Sequence, residues 1–412
     1  MKNDIDRLME EKDLDALFVV GSANHNSSMV YFTGIVHVSD AYLLKKRGEE
    51  PILFYQTMER DEADRTGLET KSFDDYPAEE LIKKFDGDLI KARAHRLKLI
   101  LEDFDVTGRV SIYGSGDVGS FYGIFRETQS LIEGVELVTE SRTSSVLTLA
   151  KMTKDEEEVE QIREIGEITV STVDDVAGFL KSHQVKDGTL VNRQGEVLTI
   201  GEVKRRIDLW LAMRGAENPE GTIFAIGSDA GVPHSAGIDD QPVEIGKPIV
   251  FDIFPCQIGG GYFYDFTRTW CLGHAPDEVQ KLYDDVLEVY KKVYAAIEPN
   301  RLCSDFQDLT CNLFQEQGHP TIQSDRKTLN GYVHSLAHGL GLDVHEGPSF
   351  YKREENKDVL LPGTVITVEP GLYYPERGMG ARIEDTVWVR PDGFLETLVE
   401  YSMDLVLELE GV

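Results

Sequence analysis

Residues 250–270 read VFDIFPCQIGGGYFYDFTRTW, two runs rich in β-branched and aromatic residues separated by Gly259, Gly260 and Gly261. Such runs around a glycine-rich break predict a hairpin, with its turn near Ile258 and Gly259. In that register Asp252 and Asp265 stand opposite each other. Partners across an antiparallel pair point to the same face, so the two carboxylates converge on one spot. Asp252 is the more telling of the two. Ile249, Val250, Phe251, Ile253 and Phe254 surround it, and a carboxylate in so apolar a strand needs a partner for its charge.

Outward from this stretch, Glu369 closes a second apolar run, TVITVE, at residues 364–369. Glu384 lies in ARIEDTVWV, where strand alternation puts Arg382 on the same face, and His338 belongs to the glycine-rich HSLAHGLGLDVHEGP. Four carboxylates gathered without compensation would repel, raising their pKa values and destabilising the fold. Two divalent cations cancel those four charges. An oxygen-rich set with one imidazole and no thiolate suits Mn(II), Co(II) or Fe(II) at least as well as Zn(II). Most of the chain's 74 acidic residues belong to solvated surface, and taken singly Asp265, Glu384 and His338 also fit structural roles. The grouping is what points to metal.

Four ordered segments, D-x(12)-D-F-T-R-T, H-S-L-A-H-G-L-G-L-D-V-H-E-G-P, V-E-P-G-L-Y-Y and G-A-R-I-E-D, resemble the pita-bread metallohydrolases, the family of methionine aminopeptidase, prolidase, aminopeptidase P and creatinase. The resemblance implies that Asp252, Asp265, His338, Glu369 and Glu384 hold two divalent ions, Mn(II) first among the candidates, with Asp265 and Glu384 bridging them. It implies that His345 and His234 flank the substrate and stabilise charge on a tetrahedral intermediate, and that Tyr373 and Arg382 line the site and hold its carboxylates. Thr267 shares a strand face with Asp265 and is expected either to orient that aspartate or to serve simply as a β-branched strand residue.

The implied chemistry is hydrolysis by a water shared between the ions, with Glu369 taking its proton and passing it to the leaving nitrogen. The implied substrates are short peptides cut before proline, as by an Xaa-Pro dipeptidase or aminopeptidase, and the implied assembly is a homodimer. The interval from Glu369 to Glu384 is more similar to prolidases than to aminopeptidase P. A long Asp252 to Asp265 interval, and Phe254 where relatives often carry glycine, depart from the pattern. These departures bear on pocket shape. They keep open a pita-bread hydrolase or lyase of a non-peptide small molecule, whereas the complete ligand set disfavours a binding homologue without activity.

Composition sets the outer bounds. A chain of 412 residues has room for two domains with substantial cores. Its formal charge of -32 argues against nucleic acid or anionic membrane as partners, since both attract cationic surface. The opening MKNDIDRLMEEKDLD has no apolar core of a signal peptide, and no later run is long enough to span a bilayer, so a cytoplasmic location is expected. Cys256, Cys271, Cys303 and Cys311 form no close cluster and are expected to be reduced thiols.

The expected architecture is α+β. LFVV, PILFY and RVSIY read as strands, and AEELIKKF and IKARAHRLKLILEDF as helices. LDALFVV followed by MVYFTGI is similar to the start of a creatinase-type N-terminal domain. Residues 1–150 are therefore expected to form a smaller α/β domain of that type, and residues 151–412 a pita-bread catalytic domain. Thr153 and Glu156 read as a T-x-x-E capping box opening a long helix with Val159, Ile162, Gly166, Val170 and Val173 along it. Gly114, Gly116 and Gly119 spell a dinucleotide-binding fingerprint after RVSIY, but a lone fingerprint is weak and a tight strand-to-helix turn is the expected use. His334 and His338 are spaced as in a helical zinc motif. Ser335 stands where that motif needs glutamate, so the reading fails.

Overall fold

The computed structural model describes residues 4–409. They fall into two compact units: one runs to Lys151 and includes Gly259–Gly261, the other comprises Met152–Ile258 and resumes at Tyr262.

The first unit is built on a six-stranded mixed sheet in the order Glu69–Ser72, Ile52–Tyr55, Ala41–Lys46, Ala16–Gly21, Gly108–Gly114, Val135–Val138. Ala16–Gly21 is buried along its whole length, antiparallel to Ala41–Lys46 and parallel to Gly108–Gly114. A strand covered on both faces needs a continuous apolar run, which ALFVVG supplies. The helix Leu89–Asp103 starts where the Asp88 side chain accepts the Lys91 backbone N–H, one of the orphan donors of a helix start. It packs Leu97, Ile100 and Leu101 into the cluster of Phe18, Tyr42 and Phe54, each buried side chain contributing about 1.5–3 kcal/mol.

Gly114 begins the turn after its strand, at φ +123°, and a Cβ there would lie 1.9 Å from the Val20 carbonyl oxygen. Only glycine lets the two strands approach so closely. The turn leads into the helix Val118–Leu131, capped by Asp117.

The second unit opens with the helix Glu156–Lys181. Its capping box is formed by Asp155 and Glu158, each side chain accepting the other's backbone N–H, and not by Thr153 and Glu156. The shift has a local cause. Thr153 is held in an antiparallel bridge to Thr364, and the Lys154 N–H donates to the Gly363 carbonyl. The chain therefore stays extended for two residues more than the sequence pattern implied.

Two sheets follow. One has the order Thr222–Ile226, Pro248–Ile253, Phe266–Leu272, Val406–Leu407, and the other Glu346–Ser349, His338–Gly339, Val365–Val368, Asp385–Val389, Leu395–Thr397. An antiparallel bridge between Thr267 and Glu384 links them. Beneath that link Arg268 and Asp385 pair at 2.7 Å, each side chain 1% exposed, and Tyr290 donates to the second carboxylate oxygen. Such a pair is tolerable only because its remaining hydrogen-bonding capacity is filled.

The register of the opening stretch differs from expectation. Asp252 lies opposite Thr267 and Ile253 opposite Phe266, so Asp265 sits just before its strand, diagonal to Asp252. Pro255 interrupts the first strand, but the hairpin continues in the same register. Cys256 bridges Phe263 and the Gln257 N–H donates to the Tyr262 carbonyl, so the chain turns over residues 258–261, one residue later than expected, while Cys256–Gln257 also pair with Ala216–Glu217. A slip of one residue would have turned Asp265 away; a slip of two keeps it on the same face. The four cysteines are buried free thiols. Among the described residues no helix is long and apolar enough to cross a membrane.

Candidate metal centre

The acidic residues reach the site from strand ends, where the ladder stops and side chains open into space. Asp252 is in Pro248–Ile253, Asp265 precedes Phe266–Leu272, Glu369 follows Val365–Val368, and Glu384 lies between Met379–Arg382 and Asp385–Val389. His338 begins the short strand His338–Gly339. All five line one cavity of about 580 Å³, and His234, His334, His345 and Arg382 complete much of its wall. Asp265, His338 and Glu384 each offer a donor atom, and the three atoms lie within 4.8 Å of one another. Glu369 joins through its Oε1, 3.7 Å from His338 Nε2. Asp252 lies beside Asp265, whose ionisation it opposes, and its Oδ2 accepts from Arg382 Nη2 at 2.5 Å.

Three features of this cluster fit bound cations. First, Asp252 Oδ1 and Asp265 Oδ1 are buried without a hydrogen-bond partner, a costly state for carboxylate oxygens unless they coordinate. Second, His338 Nδ1 is 3.0 Å from the Gly339 carbonyl, so Nδ1 carries the proton and Nε2 presents its lone pair. That lone pair faces Asp265 Oδ2 at 3.5 Å and Glu369 Oε1 at 3.7 Å, an arrangement repulsive without a cation between them. Burial keeps His338 neutral by holding its pKa below the ordinary value. Third, burial and then mutual repulsion push Asp265, Glu369 and Glu384 well above the usual carboxylate range, the response expected of like charges gathered without compensation. The donor set, carboxylates with one imidazole, matches hard or borderline divalent ions.

Arg382 organises the cavity wall. Besides Asp252, it donates through Nε to Thr267 Oγ1 at 3.1 Å and through Nη1 to Tyr373 OH at 2.8 Å. Thr267 in turn donates to Glu384 Oε2 at 2.6 Å. The threonine thus orients Glu384 and not Asp265 as expected, because the register slip sets it beside the Glu384 bridge. Arg382 and Glu384 fall on no single regular strand, since the pairing of Met379–Arg382 ends before Glu384. The arginine meets the cluster through Asp252 and Thr267.

His334 escaped the sequence reading. Its four-residue spacing to His338 suggests a helical zinc motif, yet it lies outside any helix with its ring in the cavity wall. Its Nδ1, 2.7 Å from the Ser335 carbonyl, must carry the proton, so Nε2 accepts from Tyr373 OH at 2.9 Å. A directed chain results: Arg382 donates to Tyr373, Tyr373 to His334, and the protonated Nδ1 also faces Glu369 Oε2 at 3.6 Å. Burial, then Arg382, lowers the His334 pKa to about 3, keeping it neutral. His345 packs on His338 with ring centroids 4.4 Å apart. Phe254 lines the cavity with the ligands.

A family model described as metallopeptidase family M24 matches residues 160–391. An Xaa-Pro dipeptidase of Pyrococcus furiosus is 33% identical over 193 residues, 47% of this chain and 51% of that protein; the match spans about half the length of this relative. Among solved structures, a prolidase from Pyrococcus furiosus superimposes with a TM-score of 0.71 at 24% identity, covering 96% of this chain and 99% of that one. An X-Pro aminopeptidase from Thermotoga maritima MSB8 gives 0.73 at 23% identity, covering 98% and 99%. These likenesses extend over both units and bear out the α+β pita-bread fold expected from the sequence.

Proposed function

Because the chain belongs to metallopeptidase family M24, we propose that it is a metal-dependent peptidase of the Xaa-Pro type, hydrolysing the bond before proline in short peptides. The observation that carries this reading is the buried cluster of Asp265, His338, Glu369 and Glu384 with unpartnered aspartate oxygens beside it. Relatives named Xaa-Pro dipeptidase supply the substrate class.

Asp252, Asp265, His338, Glu369 and Glu384 would hold two divalent ions, Mn(II) first among the candidates. When bound, the ions supply a Lewis acid for the substrate carbonyl and lower the pKa of the attacking water. Glu369 accepts that water's proton and delivers it to the leaving nitrogen, its second oxygen steadied by the His334 Nδ1–H. His234 and His345 bind the substrate carbonyl from the cavity wall. Arg382 and Thr267 fix Asp252 and Glu384, and Tyr373 fixes His334. No serine or cysteine nucleophile enters.

The same reading takes residues 1–150 as a creatinase-type N-terminal domain and 151–412 as the catalytic domain, in a cytoplasmic homodimer. A second reading, hydrolysis or lysis of a non-peptide small molecule at the same metals, draws on Phe254 in the cavity wall. The test is cleavage of Gly-Pro, Ala-Pro and Ala-Pro-Pro after chelation and after return of Mn(II), Co(II) or Zn(II), with bound metal counted. Metal-dependent cleavage of the dipeptides alone marks a dipeptidase, and cleavage of the tripeptide an aminopeptidase. Metal binding without peptide cleavage favours the second reading, and absence of metal binding refutes both.

A further inference from the structure

We infer that the N-terminal unit carries a binding site for a small monocarboxylate, independent of the metal centre, built on Arg96 and Arg93. On the helix Leu89–Asp103, Leu89, Arg93 and Arg96 stand four and three residues apart and so share one face. That face borders a cavity of about 170 Å³ which Ala78 and Ile82, on the helix Ala78–Lys84, close from the other side and Asp40 borders as well.

Arg96 is 5% exposed. Its Nε is buried without a hydrogen-bond partner, and its Nη2 makes one long contact, 3.5 Å to Tyr42 OH. The guanidinium stacks on Phe73 at 4.3 Å from the ring centroid and lies 5.5 Å from that of Tyr42. Ring faces offset only part of a buried cation's desolvation. Among the described residues Arg96 has no acidic partner within 4.0 Å. In a chain with 74 acidic residues, a buried arginine left without a carboxylate points to a counter-ion that comes from outside.

Charge and shape define that counter-ion. Arg93 is loosely engaged by Asp40 at 3.9 Å, so the two arginines and one aspartate leave a single positive charge, which calls for a monoanion. The planar donor fork of a guanidinium matches a carboxylate. The apolar walls of Ala78, Ile82 and Leu89 suit a short aliphatic body and give inorganic anions nothing to bury.

The test is isothermal titration calorimetry on the full chain with sodium isobutyrate, isobutyramide, sodium chloride and sodium phosphate, at constant ionic strength. Arg96→Gln and the half-exposed Arg93→Gln are titrated alongside the unmodified protein. Isobutyrate should bind saturably with one site per chain, isobutyramide should give no saturable heat, and both variants should weaken isobutyrate binding roughly tenfold or more. Arg93→Gln keeps the test decisive if Arg96→Gln does not fold. No saturable heat with isobutyrate overturns the proposal, as does binding unchanged in Arg93→Gln or shared equally by isobutyramide. Chloride or phosphate binding more tightly than isobutyrate overturns the carboxylate assignment.

Discussion

At the residue scale, each site side chain has a separable task. Glu369 is repelled by Glu384 and lies 3.7 Å from the His338 lone pair. Glu369→Gln should lower turnover by roughly 10²–10⁴-fold, the usual contribution of a general base. It should also raise the melting temperature of the metal-free protein, since a buried like charge is removed. Peptidase assays with thermal melts in chelator check both, and a variant as active as the parent would refute the assignment of Glu369. Thr267 does not line the cavity of the cluster, yet it is the hinge between Arg382 and Glu384. Thr267→Val should weaken divalent-ion affinity by about 10–100-fold, the common cost of losing a group that orients a ligand. Unchanged affinity by calorimetry would mean that the Glu384 bridge alone holds that carboxylate in place.

At the element scale, the cluster depends on short strands that approach closely. A Cβ on Gly339 would lie 1.9 Å from the Gly347 carbonyl oxygen, between the strand of His338 and the strand that His345 leads into. Gly339→Ala should force them apart, costing roughly 1–3 kcal/mol as overpacking does, and loosen metal binding with it. Urea unfolding in chelator reads the first effect and metal titration the second; an alanine variant with both values unchanged would rule out this packing constraint.

The same scale explains what the sequence made legible. Asp252 and Glu369 stood out because each interrupts an apolar run, and the strands LFVV, PILFY and RVSIY were readable from composition alone. The hairpin register was not, because three consecutive glycines let the chain turn at several positions and the pairing of Cys256–Gln257 with Ala216–Glu217 is a long-range fact. Period-two parity protected the conclusion: a shift of two residues left Asp252 and Asp265 on one face but exchanged Thr267's partner. The cap of the helix Glu156–Lys181 moved for a similar reason, since Gly363 and Thr364 are distant in sequence. Nothing local marks His334, because its spacing to His338 carries meaning only on a helix, while the chain there makes bends and a brief strand.

At the scale of the whole molecule, charge decides how stability responds to pH, and the buried cluster works against the ordinary trend. Exposed carboxylates such as Asp88, held low by the Lys91 backbone N–H, contribute stability that is complete above about pH 4 and lost on acidification. His334, lowered to about 3 by burial, contributes stability present above the unfolded histidine value of about 6.5 and lost below it. Above about pH 6.5 both contributions are saturated. Asp265, Glu369 and Glu384 behave in the opposite sense. Their folded pKa values are raised, so without ions the native state retains protons that the unfolded chain releases, and stability falls as pH rises through those values. The metal-free protein should therefore lose melting temperature as pH rises above about 6.5, where the histidine contribution is saturated. Saturating Mn(II) should flatten the slope, because carboxylates bound to the ions no longer retain those protons in the folded state. Sodium chloride at the same ionic strength should raise the melting temperature at every pH by screening a net charge of -32, without changing the slope, since the buried cluster is shielded far less than the surface. A metal-free melting temperature that is flat or rising over this window would mean that the carboxylates are already compensated within the protein, and the case for cations at this centre would lose its electrostatic support.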